Sequence, residues 1–327
     1  MVTYSKPYRS FDEQARLLLE RGIEADMATC LWAVERIGYY RLSGYWYPYR
    51  IIDDDASESS GHAVRRSEVR AGTTLDQVLR LYDFDRRLKL LLMDALERVE
   101  VAVRVELAYV LGKHSAYAYR EAAHLDGRFT RPKPSRPDEP SGHARWLAKY
   151  EEHLGRSSED FVKHFQDKYD GDIPIWVAVE VLDFGSMSIL FHGARRADRD
   201  TVAARLGLLD AEGRGDGRIL GNWLQSLNIA RNTCAHHARL WNRNFVEQIS
   251  TKRLGHIDRL RYLAKFDARS LGRVYPILAV TSHLMRAIDP TSTWNRRLRE
   301  HLDTFPADDV VTLGDLGAPI AWTTLLS

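Results

Sequence analysis

The segment from Thr74 to Gly112 constrains this chain more than any other. Leu75, Val78, Tyr82, Leu88, Leu92, Ala95, Val99, Ala102 and Val103 recur there at helical spacing, the pattern of a helix that buries one side. Thr73 or Thr74 offers a hydroxyl cap at its start and Gly112 a stop. Unbroken, such a helix is about 57 Å long at 1.5 Å per residue. The same periodicity recurs over about 11–21, 26–37, 143–154, 158–169, 174–192 and 198–209, then from Arg218 onward, and over about 275–288 and 293–303. Strand-like alternation is scarce, so the expected class is all-α.

Two stretches break the pattern. Asp53 to Gly72 is acidic, Ser-rich and then Arg-containing, and reads as an exposed loop or linker. Residues 131–140 carry four of the eleven prolines and must be a loop. The expected organisation is an N-terminal helical and aromatic unit over 1–60, a helical bundle over 73–304 and a tail over 305–327. No stretch approaches the roughly 20 apolar residues that span a bilayer, and the first eight residues hold no apolar signal region. Two cysteines, Cys30 and Cys234, give no disulfide framework. No membrane association is expected, and the expected compartment is the cytoplasm.

The net charge of +2 hides a polarity. Between Arg218 and Arg273 stand 11 Lys/Arg and 3 Asp/Glu, a local balance of +8, while the rest holds 36 basic and 42 acidic residues, or −6. A region of that sign attracts a polyanion or simply coats exposed helices. Inside it lies Arg231-Asn232-Thr233-Cys234-Ala235-His236-His237-Ala238-Arg239-Leu240-Trp241-Asn242-Arg243. Imidazole moves protons near neutral pH, and guanidinium grips phosphate with two parallel hydrogen bonds. Such a set can cleave RNA with no metal.

Geometry limits how one helix could use these groups. Asn232 and His236 lie about 40° apart and share a face, while Arg231 and His236 lie about 140° apart. Two copies facing across a two-fold axis would bring both kinds of group to one point. His237, about 100° round from His236, is the weaker proton carrier. His237, Arg239 and Arg243 are candidate RNA contacts beside the catalytic candidates Arg231, Asn232 and His236. The opposing reading is that Arg231 and His236 only tie neighbouring helices together.

The run Tyr39 to Arg50 interleaves aromatic rings with Arg41 and Arg50. Those rings and arginines could stack unpaired bases and hold phosphates, or could pack a helical unit. Asp94, Glu97 and Glu100 are read as a solvated face or as salt bridges into the bundle, with Glu97 orienting Arg231 or His236 as the alternative.

Other chemistries lack their signatures. There is no phosphate-binding Gly-rich loop, dinucleotide fingerprint or His-Glu-x-x-His helix. Cys234 has no partners for a zinc set, and Gly185-Ser186-Met187 is not a nucleophile elbow. Neither metal nor cofactor is expected.

Residues 231–243 resemble the signature of the Abi-like (AbiD/AbiF) family of abortive-infection proteins. Three further blocks are similar to that family: 36–50, Phe84-Asp85-Arg86-Arg87-Leu88-Lys89 with 94–100, and 174–185. They follow the family's order and span about Lys6 to Arg243. The resemblance implies a helical bundle of the HEPN superfamily, whose ribonucleases carry an Arg, a polar residue and then a His. Arg231, Asn232 and His236 match that pattern. It also implies a homodimer with a composite site, a role in phage defence or a toxin–antitoxin setting, and in some members a small structured non-coding RNA as partner. The alternative is a non-catalytic RNA-binding protein that holds such an RNA and regulates a separate effector. A purely structural interaction bundle is a third reading.

Overall fold

A computed structural model describes residues 5 and 7–325. Residues 1–4, 6, 326 and 327 lie outside it, including Lys6 at the start of the family-like blocks and the last two residues of the tail. The chain forms two compact units, one of residues up to Leu88 with Glu300–Asp315, the other of Lys89–Arg299 with the residues from Leu316 on.

The first unit opens with helix α1 (Phe11–Glu20). Its start is a reciprocal cap: the Glu13 amide donates to Ser10 Oγ at 3.3 Å and the Ser10 amide to Glu13 Oε2 at 2.6 Å. Helix α2 (Met27–Arg36) is capped by Asp26, which accepts from the amide and hydroxyl of Thr29. Gly38, at φ +93°, turns the chain into α3 (Tyr39–Trp46). Ala15, Leu18, Cys30, Ala33, Val34, Leu42 and Trp46 are fully buried.

Then comes a departure from expectation. The segment read as an exposed loop holds helix α4 (Asp54–Ser60) and strand β2 (Val64–Val69), which pairs antiparallel with β1 (Arg50–Asp53). Arg65 fixes the ladder by donating to the carbonyls of Pro48 and Arg50 at 2.8 and 2.7 Å. That partnership is non-local, so the polar local composition could not reveal it. Apart from this two-stranded sheet the described fold is helical, as the periodicity implies.

Helix α5 runs unbroken from Leu75 to Gly112. It starts with a second reciprocal cap between Thr74 and Gln77. Its residues up to Leu88 belong to the first unit and those from Lys89 to the second.

In the second unit follow α6 (Gly127–Thr130), α7 (Gly142–Arg156) and α8 (Asp160–Tyr169). The single helix expected over 174–192 is instead two, α9 (Ile175–Ala178) and α10 (Phe184–Gly193), separated by a 3-10 turn and an extended Leu182. Asp183 makes the break, because its carboxylate caps α10 by accepting from the Ser186 amide at 2.5 Å. Next come α11 (Arg196–Arg205), α12 (Gly217–Ala235), α13 (Ala268–Leu271), α14 (Val274–Ile288), α15 (Trp294–Asp303), whose residues from Glu300 belong to the first unit, and α16 (Trp322–Leu325). Helix α12 packs against α10, α11 and α14. Trp223, Leu224, Leu227 and Ala230 from α12 are fully buried, as are Leu190, Phe191, Leu278 and Leu284. The helix that carries the motif is therefore held on a dry core.

Candidate functional site

The site is built on the end of α12. At its start, Asp216 accepts from the amides of Arg218 and Ile219 and from Arg253 Nη1 at 2.8 Å. At its end the His236 amide still donates to the Asn232 carbonyl at 3.0 Å, so helical phase holds through His236. The next residue leaves it. His237 adopts φ +54°, its amide donates to Cys234, and the Ala238 amide donates to Thr233, both at 3.0 Å. This is the paired-bond helix ending that glycine normally serves. His237 therefore sits on a left-handed turn, not 100° further round the helix.

The chain is then pulled inward. Leu240 and Trp241 are fully buried, and Asn242 takes a second positive φ of +48° while its carbonyl accepts from Arg273 Nη1 at 2.6 Å. Beyond it the segment runs back along α12. Asn222 Nδ2 donates to the Gln248 carbonyl at 3.1 Å, Asn222 Oδ1 accepts from the Ser250 amide at 2.8 Å, and Ser226 Oγ donates to the Glu247 carbonyl at 3.1 Å. Residues 231–243 are thus anchored at both ends, and the bend between carries the chemistry.

Arg231 is half-buried and donates to Asn232 Oδ1 at 3.2 Å. Glu100 of α5, 8% exposed and bound by Arg104, lies near enough to feel the Arg231 charge. Burial pushes the Glu100 carboxyl up, against the pull of the Arg104 and Arg231 charges. Of the three α5 carboxylates considered from sequence, Asp94 bridges Arg98 and Arg297, Glu97 is exposed, and Glu100 is the one beside Arg231.

His236 and His237 are exposed, Arg243 is exposed and Arg239 is half-buried. Arg41 and Arg50 belong to the first unit. Arg41 is exposed on α3, and the half-buried Arg50 lies over the Tyr47 ring at 5.4 Å.

A cleft of about 600 Å³ opens beside α12, between it, α10 and α6. Its lining includes Gln225, Asn228, His192, Arg199 and Phe129, none of which the sequence reading singled out. One signal was present: Gln225, Asn228, Asn232 and His236 fall within an arc of roughly 80° on a helix.

A family model described as Abi-like protein matches residues 33–242. The chain belongs to the Abi-like family. In this Abi-like protein the matched region begins within α2 and ends at Asn242, just past the buried Leu240–Trp241 pair. Membership ties the Abi-like protein to abortive infection. Neither a curated protein nor a solved structure matches it. Among the described residues no helix is long and apolar enough to cross a membrane, and no group of three or more His, Cys, Asp or Glu is placed to hold a metal ion.

Proposed function

We propose that this Abi-like protein is a cytoplasmic, metal-independent endoribonuclease of HEPN type that acts as a homodimer in phage defence. The observation that carries the reading is the Arg231–Asn232 hydrogen bond one helical turn before the exposed His236. His236 of one copy takes the proton of a ribose 2′-hydroxyl, and the 2′-oxygen attacks phosphorus. The bond from phosphorus to the 5′-oxygen breaks, and protonated His236 of the other copy gives its proton to that oxygen. The products are a 2′,3′-cyclic phosphate and a 5′-hydroxyl. Arg231 stabilises the charge that builds on the phosphate in the transition state, and Asn232 orients the guanidinium.

Two copies are needed because Arg231 and His236 diverge by about 140° on one helix, while Arg231 also faces Glu100 of its own chain. His237, Arg239 and Arg243 lie beyond the helix end, where they would hold the flanking phosphates, with Arg41 and Arg50 as further RNA contacts. The local excess of positive charge between Arg218 and Arg273 supports a polyanionic ligand.

The test is labelled RNA incubated with the purified protein in chelator. Cyclic-phosphate ends are expected, and His236→Ala should lose about 10²- to 10⁴-fold in rate with RNA binding retained. Protection of the RNA without cuts would replace this reading by the non-catalytic binder of a small structured RNA. Equal cleavage by His236→Ala would remove His236 from the chemistry.

A further inference from the structure

We propose that the cleft between α6, α10 and α12 is a nucleotide-binding subsite, which seats the base of the nucleotide next to the phosphate at Asn232 and His236. The identity of the ligand as RNA rests on the nuclease reading; the nucleotide chemistry of the cleft stands on its own lining. Its volume of about 600 Å³ lies within the range of small-molecule sites.

Each wall offers a different part of a nucleotide its partner. Asn228 and Gln225 bring planar amides, whose paired donor and acceptor match base edges. Their side chains make no hydrogen bond to any described residue. His192 Nδ1 donates to the Ser188 carbonyl at 2.8 Å. With Nδ1 so engaged, Nε2 is the ring atom left to meet a base, and burial lowers the ring's pKa below its ordinary value. Arg199 adds a positive charge to the lining, which draws the anionic part of a nucleotide. Phe129 supplies the flat face on which bases stack. Its ring is wedged in place by the absence of a side chain at Gly193, where a Cβ would lie 2.3 Å from Phe129 Cδ1.

Asp126 and Glu247 also line the cleft. Arg128 and Arg199 balance these two carboxylates, which can accept from the exocyclic amines of a base. The helix supplies the connection to the motif. Asn228 and Asn232 are four residues apart on one face, a rise of about 6 Å, and His236 is one further turn along. A base held at Asn228 would leave its own phosphate beside Asn232.

The probes are the four ribonucleoside 5′-monophosphates and a 2′-O-methyl oligoribonucleotide that cannot be cut, titrated into the full chain. Saturable binding with unequal affinities is expected. Asn228→Asp, which keeps the shape and removes the amide donor, should change the order of preference or weaken the best ligand about tenfold. The oligonucleotide binding at least tenfold tighter than any monophosphate assigns the subsite to RNA, and equal affinities assign it to a free nucleotide. No saturable binding, or an Asn228→Asp profile identical to the parent in a protein with unchanged melting temperature, overturns the proposal. RNA left uncut by the parent protein would end the nuclease reading while leaving the subsite to be judged by these titrations.

Discussion

Two stretches of this chain set arginines among rings, residues 39–50 in the first unit and 231–243 in the second. Their compositions suggest the same ligand, yet the protein treats them differently. In the first, Tyr45, Trp46 and Tyr49 are almost wholly buried. The hydroxyl of Tyr45 donates to Asp85 Oδ2 and that of Tyr49 to Asp308 Oδ2, both at 2.7 Å. Arg50 and Arg65 lie over the Tyr47 ring. In the second, Leu240 and Trp241 do the packing while His236, His237 and Arg243 face outward. Two positive φ angles at non-glycine residues, His237 and Asn242, fall within this short stretch. Tyr45 and Tyr49, whose hydroxyls are bound inside the chain, build structure, and the exposed bend with its two left-handed residues is the surface available to the proposed ligand.

The sharpest way to break this contrast is a pair of truncations. Trp46→Ala should destabilise the protein by about 3–5 kcal/mol through the lost burial and the void left behind, read as a lower denaturant midpoint. His236→Ala should leave that midpoint unchanged while RNA cleavage falls. If Trp46→Ala proves neutral in stability, the first stretch is not the packed one.

The contrast extends to the imidazoles of the second unit. His283 lies edge-on to Trp223 at 5.8 Å, and burial pulls its pKa down to about 4. In the unfolded chain the ring titrates near its ordinary value of about 6.5. Between those values the unfolded state binds more protons, so the stability His283 contributes is complete above about 6.5 and is lost as pH falls toward 4. The loss is on the order of 3 kcal/mol at most. Melting curves at pH 7 and pH 5 should separate in the parent and move closer in His283→Gln. An unchanged separation would show that other groups govern the acid response.

Tyr45→Phe tests the first stretch more finely. Removing the hydroxyl leaves the fully buried Asp85 short of a donor, a cost of about 1–3 kcal/mol. Calorimetry that found no change would mean that the buried carboxylate is satisfied without Tyr45.

Much of this was legible from the chain alone. The long helix was marked by its apolar period and by Gly112, and the four-residue interval from Asn232 to His236 survives because the His236 amide, at the cap of α12, still bonds the Asn232 carbonyl. What could not be read came from contacts between distant residues. Asp183 is one polar residue in an apolar run, and only its bonds to the Ser186 amide and to Lys149 Nζ at 3.0 Å show that it ends one helix and begins another. Burial pushes the Asp183 carboxyl up, yet the Ser186 amide and the Lys149 ammonium hold it at about 2. β2 exists because of its partner β1. Phe129, in a loop-rich stretch, becomes a cleft wall because Gly193 and Gly142 let its ring approach. Nor could residue identity announce the left-handed turn at His237, since glycine is the usual occupant of that position.

The smallest expected effect is the most discriminating. A side chain at φ +54° costs the fold roughly 1 kcal/mol relative to glycine. His237→Gly should therefore stabilise the protein slightly, and the two closing bonds from residues 237 and 238 should persist because they belong to the backbone. If the imidazole at this position touches RNA, the more stable variant should bind it more weakly, with the rate of the cutting step at saturating RNA unchanged. Stability and affinity would then move in opposite directions from one substitution, which packing alone cannot produce. A variant both more stable and unaltered in RNA affinity would show that His237 only shapes the turn, and the bend's ligand-facing surface would shrink to His236 and the arginines beyond it.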